Sequence, residues 1–531
     1  MKLGCCVSMT ATTSTGIGNE NIPLFQELGY DYIELPLAQV MDLSDKEFSG
    51  LLGRIEGIPV EACNNFFPPS IRLTGPEADK EAILDYVSRA VDRASKLGAK
   101  IIVLGSAGAK NIPEGFPYEK AREQFIGLLR DIHKIVAPLG ITVVLEPLNT
   151  KESNFITSAK VALAIMKDVD CDNIKLLVDF YHMRMEDEGL EVIREAGSHL
   201  CHVHIAAKDK RLFPREGDGE DYKSFFETLR SAGYDGRISV EGKPHDLTED
   251  ARASASVLKP YTDTVLYIEN KAKRLRNLVL QMIGIGKAGH IGGSNSAADF
   301  VAALYFAKMR LNPKDPKCPD RDRFILSKGH AALIQYAALA ELGYFPMEEL
   351  AKTKSFGSML QGHPDINKTP GIDANTGSLG QGLSIACGMA VGLKMDGKSN
   401  KVYVVIGDGE LAEGQIWEAA MMASVYKLDN LVAILDKNNI QAMGTIEERF
   451  NIHSIPEKWR AFGWEVLEID GHNVSEILDA FNKTDEVKSK PSMIIAHTVK
   501  GKGVDFAENT ALFHNGILTE EQYNSAIRQL T

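Results

Sequence analysis

Four apolar runs in the first half of this chain end on residue types that bind cations or carry protons. They are Glu146 in LEPLN, Asp179 and His182 in VDFYH, His202 and His204 in HVHIAA, and Glu241 in SVEG. Two glutamates, an aspartate and an imidazole form a mixed oxygen and nitrogen site suited to Mn²⁺, Co²⁺ or Mg²⁺. His202 and His204 are two apart in a strand and share a face. The later one lies nearer the carboxyl end, so the expected ligands are Glu146, Asp179, His204 and Glu241. A separate set lies in the second half. The run 402–406 ends in Gly407-Asp408-Gly409, and the run 431–435 ends in Asp436-Lys437-Asn438-Asn439. Asp408 offers a carboxylate oxygen and Asn438, 30 residues later, an amide oxygen. Mg²⁺ (or Ca²⁺) accepts such ligands while a diphosphate supplies others. Gly407 and Gly409 let backbone approach phosphates closely.

Both sets need elements that bring strand ends together. In the first half, β-like runs at 2–7, 32–37, 60–64, 100–104, 142–146, 175–179, 201–205 and 237–241 alternate with helix-length segments such as 80–97 and 121–139. Alternation alone fits a barrel or an open sheet. Ligand types at the ends of four successive strands favour a (β/α)₈ TIM barrel, whose active site lies at that edge. In the second half, runs at 324–326, 402–406, 431–435, 466–469 and 493–496 with helices between them predict a doubly wound parallel sheet, which binds ligands at its carboxyl edge. The expected class is α/β, with a barrel over 1–262 and a sheet domain over 263–531. The join, 251–277, reads as nearly continuous helix broken at Pro260, with no Gly/Ser linker.

The chain has 531 residues, enough for several domains with large cores. A net charge of −13 argues against a nucleic-acid partner. The seven cysteines show no metal-site spacing, and the start MKLGCCVSMT lacks a signal-peptide core. No apolar run approaches a membrane span, so a cytoplasmic protein with reduced thiols is expected.

Asp408, the helix and buried strand after it, and Asn438 together resemble the thiamine diphosphate motif in its transketolase form. The resemblance implies that the main-chain oxygen of Ile440 completes the metal site and that Glu413 lies at a cofactor-dimer interface. It is carried further by KAGHIGGSNSAAD with His290, LSKGHAALIQYAAL with His330, QGHPD with His363 and NTGSLGQGLSIACGMA with Gly380. TVKGKGV with Lys500 and LFHNG with His514 complete it. It implies that His330, His514 and Lys500 contact the diphosphate, and that His290 and His363 face the donor sugar. The chain ends shortly after FHNG. A C-terminal transketolase subunit on a separate polypeptide is therefore expected, in an oligomer.

The first 260 or so residues resemble the sugar isomerase/epimerase family of xylose-isomerase-like barrels. That resemblance implies a metal chelated by neighbouring oxygens of an open-chain sugar. Glu146 and Glu241 would act as base and acid, and His182 would be a substrate ligand. Lys210 and Arg211 stand near a family arginine that contacts sugar oxygens. The expected protein is a fusion of a metal-dependent ketose/aldose isomerase or epimerase with the diphosphate-binding subunit of a transketolase, acting on sugars or sugar phosphates. The alternatives are a barrel acting as dehydratase or lyase on a polyol, and a degenerate module kept for binding or scaffolding.

Overall fold

The computed structural model describes residues 1–9, 18–450 and 454–531. The chain forms two compact units, Met1–Thr264 and Val265–Thr531.

The first unit is a closed barrel of eight parallel strands: β1 Lys2–Cys6, β2 Tyr32–Pro36, β3 Val60–Asn64, β4 Ile101–Leu104, β5 Thr142–Leu145, β6 Ile174–Asp179, β7 Leu200–Ile205 and β8 Arg237–Val240. β1 pairs with β8 to close it. The strands are buried on both faces, so they are apolar nearly throughout. Ala62, Ile101, Val103, Val144 and Leu177 pack as one cluster, while a larger core joins strands to surrounding helices such as Lys80–Leu97 and Tyr118–Val136. The helix Lys80–Leu97 starts on Asp79, whose carboxylate accepts from Glu81 N and Ala82 N, and stops at left-handed Gly98. Tyr32, Glu34, His202, His204 and Ser239 are also buried. Gly4 makes room for Tyr32, whose ring atoms would lie 2.3 Å from a Cβ there.

The expected break in the joining helix is present, just after Pro260. The helix Leu247–Thr262 contains Pro260 and ends two residues later, before Thr264–Ile283 begins. A proline in the last turn forfeits one backbone bond and leaves the preceding turns intact.

The second unit has short β9 Ala288–Gly289, then β10 Arg323–Leu326, β11 Val402–Gly407, β12 Leu431–Lys437, short β13 Ile440–Gln441 and β14 Gly444–Thr445, β15 Glu465–Asp470, β16 Ser492–His497 and short β17 Gly516–Ile517. The main sheet is parallel, in the order β10-β11-β12-β16-β15. Apolar clusters flank it. Among the described residues no helix is long and apolar enough to cross a membrane.

Candidate active sites

In the barrel, the β6–β7 register sets Asp179 beside His204, and the β7–β8 register sets Ile205 beside Val240. Glu146 and Glu241 each follow their strand by one residue. Single donor atoms of Glu146, Asp179, His204 and Glu241 all lie within 4.8 Å of one another. His204 Nδ1 is 3.0 Å from Glu146 Oε1 and 3.2 Å from Glu241 Oε2. All four expected ligands therefore converge.

Glu34 holds the imidazole from behind. His204 Nε2 lies 3.1 Å from Glu34 Oε1, and His202 Nε2 lies 2.8 Å from Glu34 Oε2. Ser239 Oγ donates to Glu34 Oε2 at 2.5 Å. With Nε2–H given to Glu34, Nδ1 is the nitrogen that faces the carboxylates, and it would ligate a cation in exchange for its proton. The sequence alone does not single out Glu34; its one signal is a charge inside the apolar run YIELP. His202 is the inner partner of Glu34 and lies outside the ligand set.

The electrostatics fit a cation. Burial pulls the His204 pKa down, but Glu34, Glu241 and Glu146 outweigh burial and hold it well above the usual imidazole value. Burial works to raise the Glu241 pKa, and Arg211 and His204 overcome it, bringing it to about 2. Three carboxylates thus converge on one imidazole nitrogen with one guanidinium nearby, a donor set suited to a hard or borderline divalent ion.

Arg211, not Lys210, enters this cluster. Its Nε donates to the Glu241 carbonyl at 3.1 Å, its guanidinium pairs with the Glu241 carboxylate, and an Nη lies 3.4 Å from Asp179 Oδ2. It also rides 4.9 Å above the Tyr181 ring. Lys210 is exposed. Both residues are left-handed, with φ of 53° and 57°, a costly backbone for non-glycine residues. His182 sits beside Asp179: its Nδ1 accepts from Asn149 N at 3.0 Å, which places the proton on Nε2. That Nε2 is buried, 3.5 Å from Asp179 Oδ2, and makes no hydrogen bond among the described residues. Two further supports carry no sequence signal. Lys110 is fully buried and donates to the Glu146 carbonyl at 2.6 Å. A Cβ on Gly105 would meet Glu146 Oε2 at 1.7 Å, so the carboxylate needs glycine there.

In the second unit, parallel pairing of β11 with β12 sets Gly407 beside Asp436 and brings Asp408 and Asn438 to one sheet edge. Asp408 Oδ2 accepts from Asn439 N at 2.5 Å, and Asp408 Oδ1 accepts from Gly409 N at 2.8 Å. Asn439 takes φ of 61°, which asparagine tolerates. Asn438 Oδ1 accepts from Ile440 N at 3.2 Å, and Lys500 Nζ donates to the Ile440 carbonyl at 2.9 Å. Asp408, Asn438, Ile440 and Lys500 therefore converge. Burial and then Asp436 push the Asp408 pKa up to about 6. Burial, then Lys328, bring Lys500 down to about 8. An oxygen-rich pocket with a lysine above it fits a metal diphosphate.

His290, His330 and His514 form a second group, with ring centroids 5.0 to 5.5 Å apart. Burial lowers all three pKa values, aided by Lys354 and His363 at His290 and by Lys500 and His290 at His514, to about 4 for both, and by His514 and Lys328 at His330, which falls further. The rings are thus neutral, and Nδ1 of His290 and of His514 is buried without a partner among the described residues. His363 is exposed and close enough to His290 to help lower its pKa, with Cδ2 3.2 Å from where a Cβ on Gly377 would lie. Glu413 is exposed beside Gly380, whose added Cβ would meet Glu413 Cβ at 2.7 Å.

Two buried carboxylates and one half-buried histidine that sequence patterns do not reveal hold this edge together. Glu410 accepts from Gly380 N at 2.8 Å and Gly407 N at 3.1 Å, tying two glycine turns. Asp436 accepts from Lys328 at 2.5 Å, Ser296 at 2.6 Å and Asn438 Nδ2 at 3.1 Å. His472 accepts from Val499 N at 2.8 Å and contacts Asp299 at 2.6 Å, fixing the chain next to Lys500.

Comparison with known proteins divides at the same place. Residues 268–531 match the family described as transketolase, thiamine diphosphate binding domain, and residues 22–261 match xylose isomerase-like TIM barrel. The 6-deoxy-6-sulfo-D-fructose transketolase subunit SqwG of Clostridium sp. (strain MSTE9) is 48% identical over 263 residues, covering 50% of this chain and 96% of that protein. An apulose-4-phosphate transketolase subunit of Phocaeicola vulgatus is 45% identical over 264 residues, covering 50% of this chain and 94% of that protein. Longer transketolases are matched over about two fifths of their length. Among solved structures, D-psicose 3-epimerase in the presence of D-fructose is 21% identical, covering 49% of this chain and 99% of that one, with a TM-score of 0.44. Through residues 268–531 the chain belongs to the transketolase family, and it carries a xylose isomerase-like TIM barrel on the same polypeptide.

Proposed function

We propose that the protein joins two sugar-converting activities: a metal-dependent ketose/aldose isomerase or epimerase in residues 1–262, and the diphosphate-binding subunit of a transketolase in residues 263–531. For the barrel the carrying observation is the convergence of Glu146, Asp179, His204 and Glu241 within 4.8 Å. Those residues would hold Mn²⁺, Co²⁺ or Mg²⁺. Such an ion supplies a Lewis acid that polarises sugar oxygens. Glu146 and Glu241 carry the proton between neighbouring carbons, or off and back onto one carbon, as paired base and acid. His182 Nε2–H and the Arg211 guanidinium donate to sugar oxygens and orient the chain, and Glu34 keeps His204 in its ligating tautomer.

In the second unit Asp408, Asn438 and the Ile440 carbonyl would hold Mg²⁺ (or Ca²⁺), and Lys500, His330 and His514 would hold the diphosphate. Gly380, Gly407 and Gly409 would let the protein backbone approach the cofactor's phosphates closely. When bound, thiamine diphosphate supplies the electron sink for breaking C2–C3 of a ketose. Neutral His290 and His514, with His363 at the rim, accept and return protons at sugar hydroxyls. The product is transfer of a two-carbon unit to an aldose, with sugar phosphates or similar anionic sugars as substrates.

The transketolase half works with a second polypeptide that supplies the aminopyrimidine-binding part. Both relatives above are named as subunits and are matched over nearly their full length. Glu413 lies exposed where the dimer contact is expected. The test is a steady-state two-carbon transfer assay on the highly purified chain with thiamine diphosphate and Mg²⁺. The chain alone is expected to show no transfer, with activity appearing once the second polypeptide is added. Robust transfer by the chain alone would contradict the split arrangement.

A further inference from the structure

A second set of donor atoms lies on the inner wall of the barrel and shares one residue with the cluster already described. Cys6 ends β1 and pairs in register with Glu34 of β2. Successive strand residues face opposite ways. Cys5 packs into the core between strands and helices, so Cys6 turns into the barrel, where Glu34 also points. One donor atom from each of Cys6, Glu34 and His204 lies within 4.8 Å of the other two. Among the described residues no other cysteine belongs to such a group.

His204 has two ring nitrogens, and the first cluster uses only Nδ1. Its Nε2 lies 3.1 Å from Glu34 Oε1. In a tetrahedral zinc site, bonds of about 2.0 Å to nitrogen and oxygen and about 2.3 Å to sulfur set the ligand atoms roughly 3.3–3.6 Å apart. The Nε2 and Oε1 pair is already near that spacing, and the thiol supplies a third corner. The charges of Glu34, Glu241 and Glu146 all bear on the Cys6 thiol, which favours a cation beside it. Glu34 and His204 are fully buried, but Cys6 is half-buried and lines a cavity of about 260 Å³ with Val7, Ser8, Gln39 and Asn64. An ion arriving through that cavity meets the sulfur first. Asn64, on the same wall, is taken up by the first cluster, its Nδ2 donating to Glu241 Oε1 at 3.1 Å.

We infer that Cys6, Glu34 and His204 Nε2 form a second cation site, selective for a thiophilic divalent ion such as Zn²⁺ or Cd²⁺. The ion replaces two protons, one on the Cys6 sulfur and one on His204 Nε2, and both pass to solvent. Water from the cavity completes its coordination. His204 then bridges two ions, with Nδ1 on the hard one and Nε2 on the soft one. Mn²⁺ prefers oxygen ligands and leaves the thiol site empty. The class of ion therefore decides whether the barrel holds one cation or two.

The test titrates the full chain, without thiamine diphosphate, with Cd²⁺ and separately with Mn²⁺. Calorimetry is expected to count two Cd²⁺ per chain but one Mn²⁺. The ultraviolet charge-transfer band of a cadmium thiolate should follow one of the two Cd²⁺. In Cys6→Ser the band should vanish, the second Cd²⁺ site should weaken by at least about a hundredfold, and the Mn²⁺ count should stay at one. A chain with Cys171→Ser, Cys201→Ser and Cys318→Ser together, which removes the other half-buried thiols, should keep both the band and the count. That variant keeps the assignment falsifiable if Cys6→Ser misfolds. A single Cd²⁺ site, a second site without the thiolate band, a band that survives in Cys6→Ser, or a band lost in the triple variant would overturn the inference. If Mn²⁺ does not bind at all, the reading of the first cluster fails, and the Cys6 band still decides this site.

Discussion

Asp408→Ala is expected to abolish Mg²⁺-dependent binding of thiamine diphosphate, with affinity falling by more than about a hundredfold. Asp408 is the one ionised oxygen donor in its set; Asn438 and the Ile440 carbonyl are neutral. It also accepts from Gly409 N and Asn439 N, so its loss releases the loop that presents Asn438 and Ile440. Burial and Asp436 make ionisation of Asp408 unfavourable in the folded chain, and a cation relieves that load. The barrel's ligands belong to a separate compact unit, so its cation affinity should be unchanged, as for independent sites. Calorimetry with the cofactor and Mg²⁺ reads the first effect, and Mn²⁺ titration of the barrel reads the second. Unchanged cofactor affinity in the variant would refute the assignment.

Glu241→Gln is expected to lower turnover of the barrel's sugar by about 10²–10⁴-fold. Glutamine keeps the shape and can still accept from Asn64 Nδ2, but it cannot take up a proton. It also removes the ion pair with Arg211, which keeps Asp179 and the residue 241 carbonyl as partners. The fall should appear in kcat more than in KM, because sugar oxygens keep their contacts with His182 and the remaining ligands. Thiamine diphosphate affinity in this variant should match the wild type. Turnover near the wild-type rate would remove Glu241 from proton transfer.

Much of the fold was legible because parallel strands buried on both faces appear as unbroken apolar runs. The residues that converge at the two strand edges were legible because each lies at or near the end of such a run. What escaped was the layer behind them, since its partners are far apart in sequence. Glu34 meets histidines 168 and 170 residues away, and Lys328 meets Asp436 108 residues away. An acid within YIELP gives no hint of which face it takes until the closed barrel turns it inward. Arg211 could not be separated from Lys210 by type; only the folded loop, which pairs Arg211 with Glu241 and Asp179 and leaves Lys210 exposed, decides it. Lys110 read as an ordinary lysine, and only the fold buries it against the Glu146 carbonyl.

The central claim is that one chain carries two independent cation sites, one inherent to the barrel and one that exists only with the cofactor. The most direct measurement is the Mn²⁺ stoichiometry of the full chain by calorimetry, without and with saturating thiamine diphosphate. One tight site per chain is expected without the cofactor and two with it, and Asp408→Ala should hold the count at one under both conditions. A count that does not change on adding thiamine diphosphate to the wild type would contradict the account.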